Sequence, residues 1–227
     1  MTTKRRDTSS GRRESTDLLS AAFSGDPDAA DTGGGPAARG RRTREKIADA
    51  VLALLDEGHS QFPAEQVAQR AGVSRRLVFH HFADMSALAD AAIERRLQQI
   101  AAQARPLPTE GPRAARVDAL TEQRARILEW LTPAYLAVLR LDDPSPRIRQ
   151  TAQQLLEFAR SRLAEVFSAE LDRLPEEKRT DLLNALDAVT TWAAWHHWRS
   201  AGLDAETARR TMRTAVHALL TATDPPA

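Results

Sequence analysis

Cysteine is absent from this 227-residue chain, which excludes a disulfide scaffold, a thiol nucleophile and every cysteine-ligated zinc or iron–sulfur site. Aromatics supply only 5% of the residues, and ten glycines and twelve prolines are too few for a turn-rich β-sandwich. Long apolar runs are missing as well. The longest stretch free of Lys, Arg, Asp and Glu is Ala188–Trp198, eleven residues, against the roughly 18 that a bilayer crossing needs. Lys4, Arg5 and Arg6 lead into polar residues from Asp7 to Asp17, not into the apolar segment of a signal peptide. The expectation is a cytoplasmic protein with no membrane partner. Nor does the chain carry a strong charge of either sign, since 32 basic residues face 31 acidic ones for a net charge of +1. Nucleic-acid binding would have to come from where the charges sit. Hydrophobic residues are plentiful at 42%, enough for a real core in one large domain or two small ones.

Residues 1–40 read as a disordered tail. The first 42 positions hold six of the ten glycines, including Gly33-Gly34-Gly35, and almost no hydrophobic period beyond a single turn's worth at Leu18, Leu19 and Phe23. The segment ends in a basic run, Arg39-Gly40-Arg41-Arg42-Thr43-Arg44. Taken alone, such a run is as readily a solvated tail as a binding element. From Thr43, a plausible N-cap, the pattern turns helical: Ile47, Val51, Leu54 and Leu55 form an apolar stripe, with Gly58 placed to end it. Pro63 opens a short second helix through Val67 and Ala71. The turn Ala71-Gly72-Val73-Ser74 leads to a third helix, Arg75 to Phe82, with Ser74 as its N-cap. Met85, Leu88, Ala92, Leu97 and Ile100 mark a fourth, ended by Pro106 and Pro108.

Residues 109–222 continue in the same period. Val117 to Leu131 predict a helix stopped by Pro133, and Tyr135 to Leu141 a short one before the breaker Asp142-Asp143-Pro144-Ser145-Pro146. Ile148 to Phe167 mark a long helix ending near Pro175, 178–201 another closed by Gly202, and Ala208 to Leu219 the last. No alternating β-branched run occurs. The fold class is all-α.

Enzyme chemistry finds no foothold. Gly33-Gly34-Gly35 has neither a strand before it nor a Gly-Lys-Ser after it, and neither a nucleophile elbow nor a zinc-protease helix occurs. His196 and His197, like His80 and His81, are adjacent and point about 100° apart on a helix, so they do not converge on a metal as an i, i+4 pair would. No cofactor is expected. Trp192, Trp195 and Trp198 recur every three residues and read as core or interface.

The informative segment is the turn around Gly72. A short helix, a glycine turn and a second short helix make a helix-turn-helix, whose second helix enters the major groove of DNA. On a helical wheel Val78 and Phe82 fall inward, beside Val67 and Val73. Arg76, Leu77, His80 and His81 fall on the opposite arc. Arginine there suits guanine edges or phosphates, and leucine a thymine methyl; the bland alternative is an ordinary surface helix.

Residues 43–93 resemble the DNA-binding domain of the tetracycline-repressor (TetR) family. The family's run after the turn is matched in register by Gly72-Val73-Ser74, Arg75-Arg76, Leu77, Val78, Phe79, His80, His81 and Phe82. The resemblance implies an N-terminal helix-turn-helix domain, 41–101, followed by a helical ligand-binding and dimerisation domain, 109–222. It implies a homodimeric regulator, most often a repressor, on double-stranded operator DNA of inverted-repeat symmetry, released by a small-molecule effector. Contacts to phosphates or base edges would come from Ser74, Arg75, Arg76, Phe79 and His80. Leu77 and His81 join them from the outward arc, and Arg41, Arg42 and Arg44 from the basic run. The family's dimer helices correspond by position to 178–222. Three residues depart from the pattern. Phe79 replaces a tyrosine, Leu77 a threonine and Met85 a lysine, and each removes a polar contact to the DNA backbone. The competing reading is a helical adaptor that binds a protein partner without DNA.

Overall fold

The computed structural model describes residues 35–59, 61–103, 105–140 and 145–223. Among them the chain forms ten helices and no strand: α1 (Pro36–Asp56), α2 (Ala64–Ala71), α3 (Arg75–His81), α4 (Met85–Gln103), α5 (Arg113–Leu139), α6 (Pro146–Val166), α7 (Ser168–Leu171), α8 (Glu176–Val189), α9 (Trp192–Ser200) and α10 (Ala205–Thr221). The all-α class is as the sequence predicts.

Two hydrophobic cores organise these helices. In the first, the α1 stripe Ile47, Val51, Leu54 and Leu55 closes over Val67, Ala68 and Ala71 of α2, Val78 of α3, Phe82, and Leu88 and Ala92 of α4. In the second, Val117, Leu120 and Leu128 of α5 meet Leu163 and Val166 of α6, Leu186 of α8, Trp195 of α9, and Met212, Val216 and Leu220 of α10. α5 belongs to both, because Ala134 and Ala137 near its end pack into the first core.

That sharing explains one departure from the sequence reading. Pro133 lies inside α5 and does not stop it, so the expected break before Tyr135 is absent. An interior proline costs about 3 kcal/mol, and buried Leu131 and Ala134 on either side recover this by holding one rod against two cores. Thr132 Oγ1 donates to the Leu128 carbonyl at 2.7 Å, tying the turn around the proline.

The helix expected over 178–201 is two helices. Thr190 and Thr191 divide it: Thr190 Oγ1 donates back to the Leu186 carbonyl at 2.9 Å, while Thr191 Oγ1 accepts from the Ala194 N–H as the N-cap of α9. Two adjacent threonines thus offer the backbone partners outside the helical ladder. The long helix expected to reach Pro175 likewise ends at Val166, with the single turn of α7 after it.

The largest correction is at the start. α1 begins at Pro36, not at Thr43, with Gly35 as N-cap and a proline in the first turn, where its missing N–H costs nothing. Ala37, Ala38, Arg39, Arg41 and Arg42 are good helix formers, and Ala38 is buried. Thr43 is interior, its hydroxyl donating to the Arg39 carbonyl at 3.0 Å. The expected tail therefore loses its last residues to α1. Positions 1–34, with Leu18, Leu19 and Phe23, lie outside the described residues, as do 141–144, whereas Ser145 and Pro146 of the expected breaker cap and open α6.

Candidate nucleic-acid interface

The turn before α3 is built by two residues. Gly72 caps α2 at φ 62° and ψ 41°, and its N–H reaches the Ala68 and Gln69 carbonyls. A side chain is disfavoured at such an angle, so glycine lets the chain reverse here. Ser74 then caps α3, its Oγ accepting from the Leu77 N–H at 3.1 Å, as the sequence predicts.

α3 is anchored by one face and offers the other. Val78 is 1% exposed and Phe82 just beyond the helix 2%, both inside the first core. Arg75, Arg76, Phe79 and His80 are exposed, and Leu77 and His81 half-buried. Phe79, at 41%, is one of three large hydrophobic side chains left exposed among the described residues. The Arg75 guanidinium lies over its ring, 5.6 Å from the centroid. The outer face of α3 is polar apart from this phenylalanine and the half-buried Leu77. It presents donors and apolar surface side by side.

Two of the sequence-predicted residues, Arg44 and His81, make contacts within the protein. Arg44 is exposed and holds the end of α3 from the surface: Nη1 donates to the His81 carbonyl at 2.7 Å and the group lies 4.2 Å from the centre of the Phe82 ring. It thereby ties α1 to the end of α3. His81 is held below its ordinary pKa, by burial first and then by neighbouring His80 and Arg44. The shift disfavours the charged form of the ring. Met85, where a lysine is usual, packs against the first core. Arg41 pairs with Glu45 at 4.0 Å along α1, and Arg42 is exposed one residue on.

Lys46 escaped the sequence reading. Its Nζ lies 3.6 Å from where a Gly72 β-carbon would stand, which puts an exposed ammonium at the mouth of the turn. Its place on α1, opposite the stripe of Ile47 and Val51, was the available signal. The tryptophans, in contrast, serve the inside. Trp195 is buried and its Nε1 donates to Glu129 at 2.9 Å, while Trp192 donates to Thr132 at 3.1 Å and stacks between Tyr135 and His196.

Residues 47–92 match the family model of bacterial regulatory proteins, tetR family. The matched segment runs from α1 into α4 and encloses the turn and both helices of the motif, while the basic run at 39–44 lies ahead of it. A comparison with curated proteins gives no match.

Proposed function

We propose that this chain, whose residues 47–92 match the family model of bacterial regulatory proteins, tetR family, is a homodimeric repressor that binds an inverted-repeat operator and is released by a small ligand. The observation that carries this reading is α3: Val78 and Phe82 sink into the core, and Arg75, Arg76, Phe79 and His80 stand outside. Arg76 and Leu77, near the N-terminal end of α3, read base edges, where a recognition helix makes its sequence-specific contacts. Ser74, Arg75, Phe79 and His80 position the helix on the sugar-phosphate backbone. Arg41 and Arg42 follow the strand from the extended start of α1. Arg44 acts through the contact to His81.

The dimer forms through residues 178–222, where the family pairs its last helices, and two-fold symmetry in the protein asks for two-fold symmetry in the operator. The tryptophans give this no support, since they are used within the protomer. It rests on the family correspondence and on the exposed residues that α8 and α10 keep opposite their buried stripes. The protein acts in the cytoplasm and needs no catalytic group.

A salt titration of DNA binding, with sedimentation of the free and bound protein, tests the reading. Counterion release makes the logarithm of affinity fall linearly with the logarithm of salt concentration, and two chains should sediment together on one DNA. Failure to bind any duplex at low salt, or a monomer on DNA, overturns it.

A further inference from the structure

The end of α1, the middle of α5 and the start of α10 enclose an open groove of about 690 Å³, with an apolar floor that includes Trp130 and Pro133. An apolar cavity of about 150 Å³ holds a single benzene ring, so this groove has room for several side chains of one segment. Carboxylates rim it. Asp56 lies beside Trp130, since both meet the Arg96 guanidinium. Glu129 is held by Arg199 and Glu206 by Arg209. Glu122, about two turns before Trp130 on α5, makes neither a hydrogen bond nor an ion pair among the described residues.

The chain ahead of α1, outside the described residues, carries a matching order of side chains. Residues 24–34 hold Asp26, Asp28 and Asp31 and no Lys or Arg. Before them, Leu18, Leu19 and Phe23 are the only large apolar residues between Met1 and α1, and Arg12-Arg13 stands before these. On the described side, the first half of α1 exposes Arg39, Arg41, Arg42 and Lys46, and its last residue lines the groove. A segment doubling back along α1 would meet opposite charge, then apolar floor, then the carboxylate of Glu122. The reach suffices. The 21 residues of α1 span about 32 Å, and the connection from Gly35 back to Phe23 extends to about 40 Å.

We propose that residues 12–23 dock in this groove of their own chain. Leu18, Leu19 and Phe23 cover the floor, and Arg12 and Arg13 approach Glu122. Glu14 and Asp17, between them, fall toward Arg126 and Arg209, the cations that line the groove. The short connection makes docking intramolecular, so an open groove fills without high intrinsic affinity. One consequence rests on the DNA-binding reading above: Asp26, Asp28 and Asp31 then lie beside Arg41 and Arg42 and compete with phosphates for them, so the docked segment lowers affinity for DNA. The docking itself does not depend on that reading.

The absence of cysteine allows a direct test on the full chain. Ala21→Cys, between the apolar residues, and Ala205→Cys, in the groove, should close a disulfide within one chain under mild oxidation, read by mass spectrometry. Closure should be at least about tenfold faster than with Glu157→Cys as the second position, which is exposed on α6 and does not line the groove. Adding Leu18→Ser, Leu19→Ser and Phe23→Ser, which touches neither described core, should slow closure at least about tenfold. Equal rates at the two positions, closure indifferent to the serines, or a disulfide that joins two chains instead would each overturn the proposal. Asp26→Asn, Asp28→Asn and Asp31→Asn together should raise affinity for any duplex about threefold or more at low salt, a gain that shrinks as salt rises. Closure as stated with unchanged DNA affinity supports the docking and overturns the competition with phosphates. Closure in a chain that binds no duplex supports the docking and overturns the DNA-binding reading.

Discussion

The two cores of this protein treat charge differently. Around the first, α1 to α4 bury an apolar cluster, place one buried arginine, Arg96, against Asp56 at its edge, and leave arginines and histidines on the outside of α3. The second buries charge deliberately. Arg116 of α5 and Glu170 of α7, each with a side chain 6% exposed, pair at 2.5 Å, and Arg116 Nη1 also donates to the Val166 carbonyl. Arg113 adds a further hydrogen bond to the same carboxylate at 3.2 Å. Nearby, Arg124 donates to the Ala159 carbonyl at 2.7 Å, and burial pulls its pKa down to about 10 despite the opposing pull of Asp187. The first region is organised to show its chemistry to a partner, and the second to fix one packing of its helices.

The largest effect is expected from importing charge into the first core. Val78→Asp buries a carboxylate with no partner and should cost about 4 kcal/mol or more, so thermal unfolding followed by circular dichroism should show the domain lost. A folded, DNA-binding Val78→Asp protein would erase the distinction between the two regions.

Next comes the removal of charge from the second core. Glu170→Ala strands Arg116 and should cost about 3–5 kcal/mol in urea unfolding, whereas replacing both partners with apolar residues should recover most of it. The pair also sets a pH dependence. Burial pushes the Glu170 carboxyl up, but hydrogen bonds from Arg116 and Arg113 outweigh it and hold the group below its ordinary value. A carboxyl lowered on folding contributes stability that is full above the ordinary glutamate range and lost as pH falls through the folded value. Acid titration of stability should therefore be shallower in Glu170→Gln than in the native chain.

A smaller effect is expected at the α1–α3 tie. Arg44→Ala removes the hydrogen bond to His81 and the stacking on Phe82 and should cost about 1–2 kcal/mol of stability. It should weaken binding to all DNA sequences alike, because Arg44 supports α3 without reading bases. A variant whose base preferences change would place Arg44 back on the DNA.

These regions were also unequally legible. Val78, Phe82, Ser74 and Gly72 lie within eleven residues of one another, so periodicity and capping rules place them from the sequence. The Arg116–Glu170 pair spans 54 positions, and neither residue carries a local signal that it is buried. Pro133 misled for a related reason: its local cost is real, and packing against two distant cores overrides it. Thr43 looked like an N-cap because the glycine-rich segment before it hid the helix-forming run from Ala37 to Arg42. Arg44 was found as a basic residue, but its partner lies 37 positions away, so its supporting role was invisible.

The central claim is that the outer face of α3 reads DNA through Arg76 and Leu77. Selection of bound duplexes from a random library, run side by side on the native chain, Arg76→Ala and Leu77→Thr at one salt concentration, tests it most directly. The native chain should select an inverted repeat. Arg76→Ala should relax one guanine in each half-site at a cost of about 1–3 kcal/mol, and Leu77→Thr should change preference at a thymine. Identical preferences in all three proteins would contradict the claim.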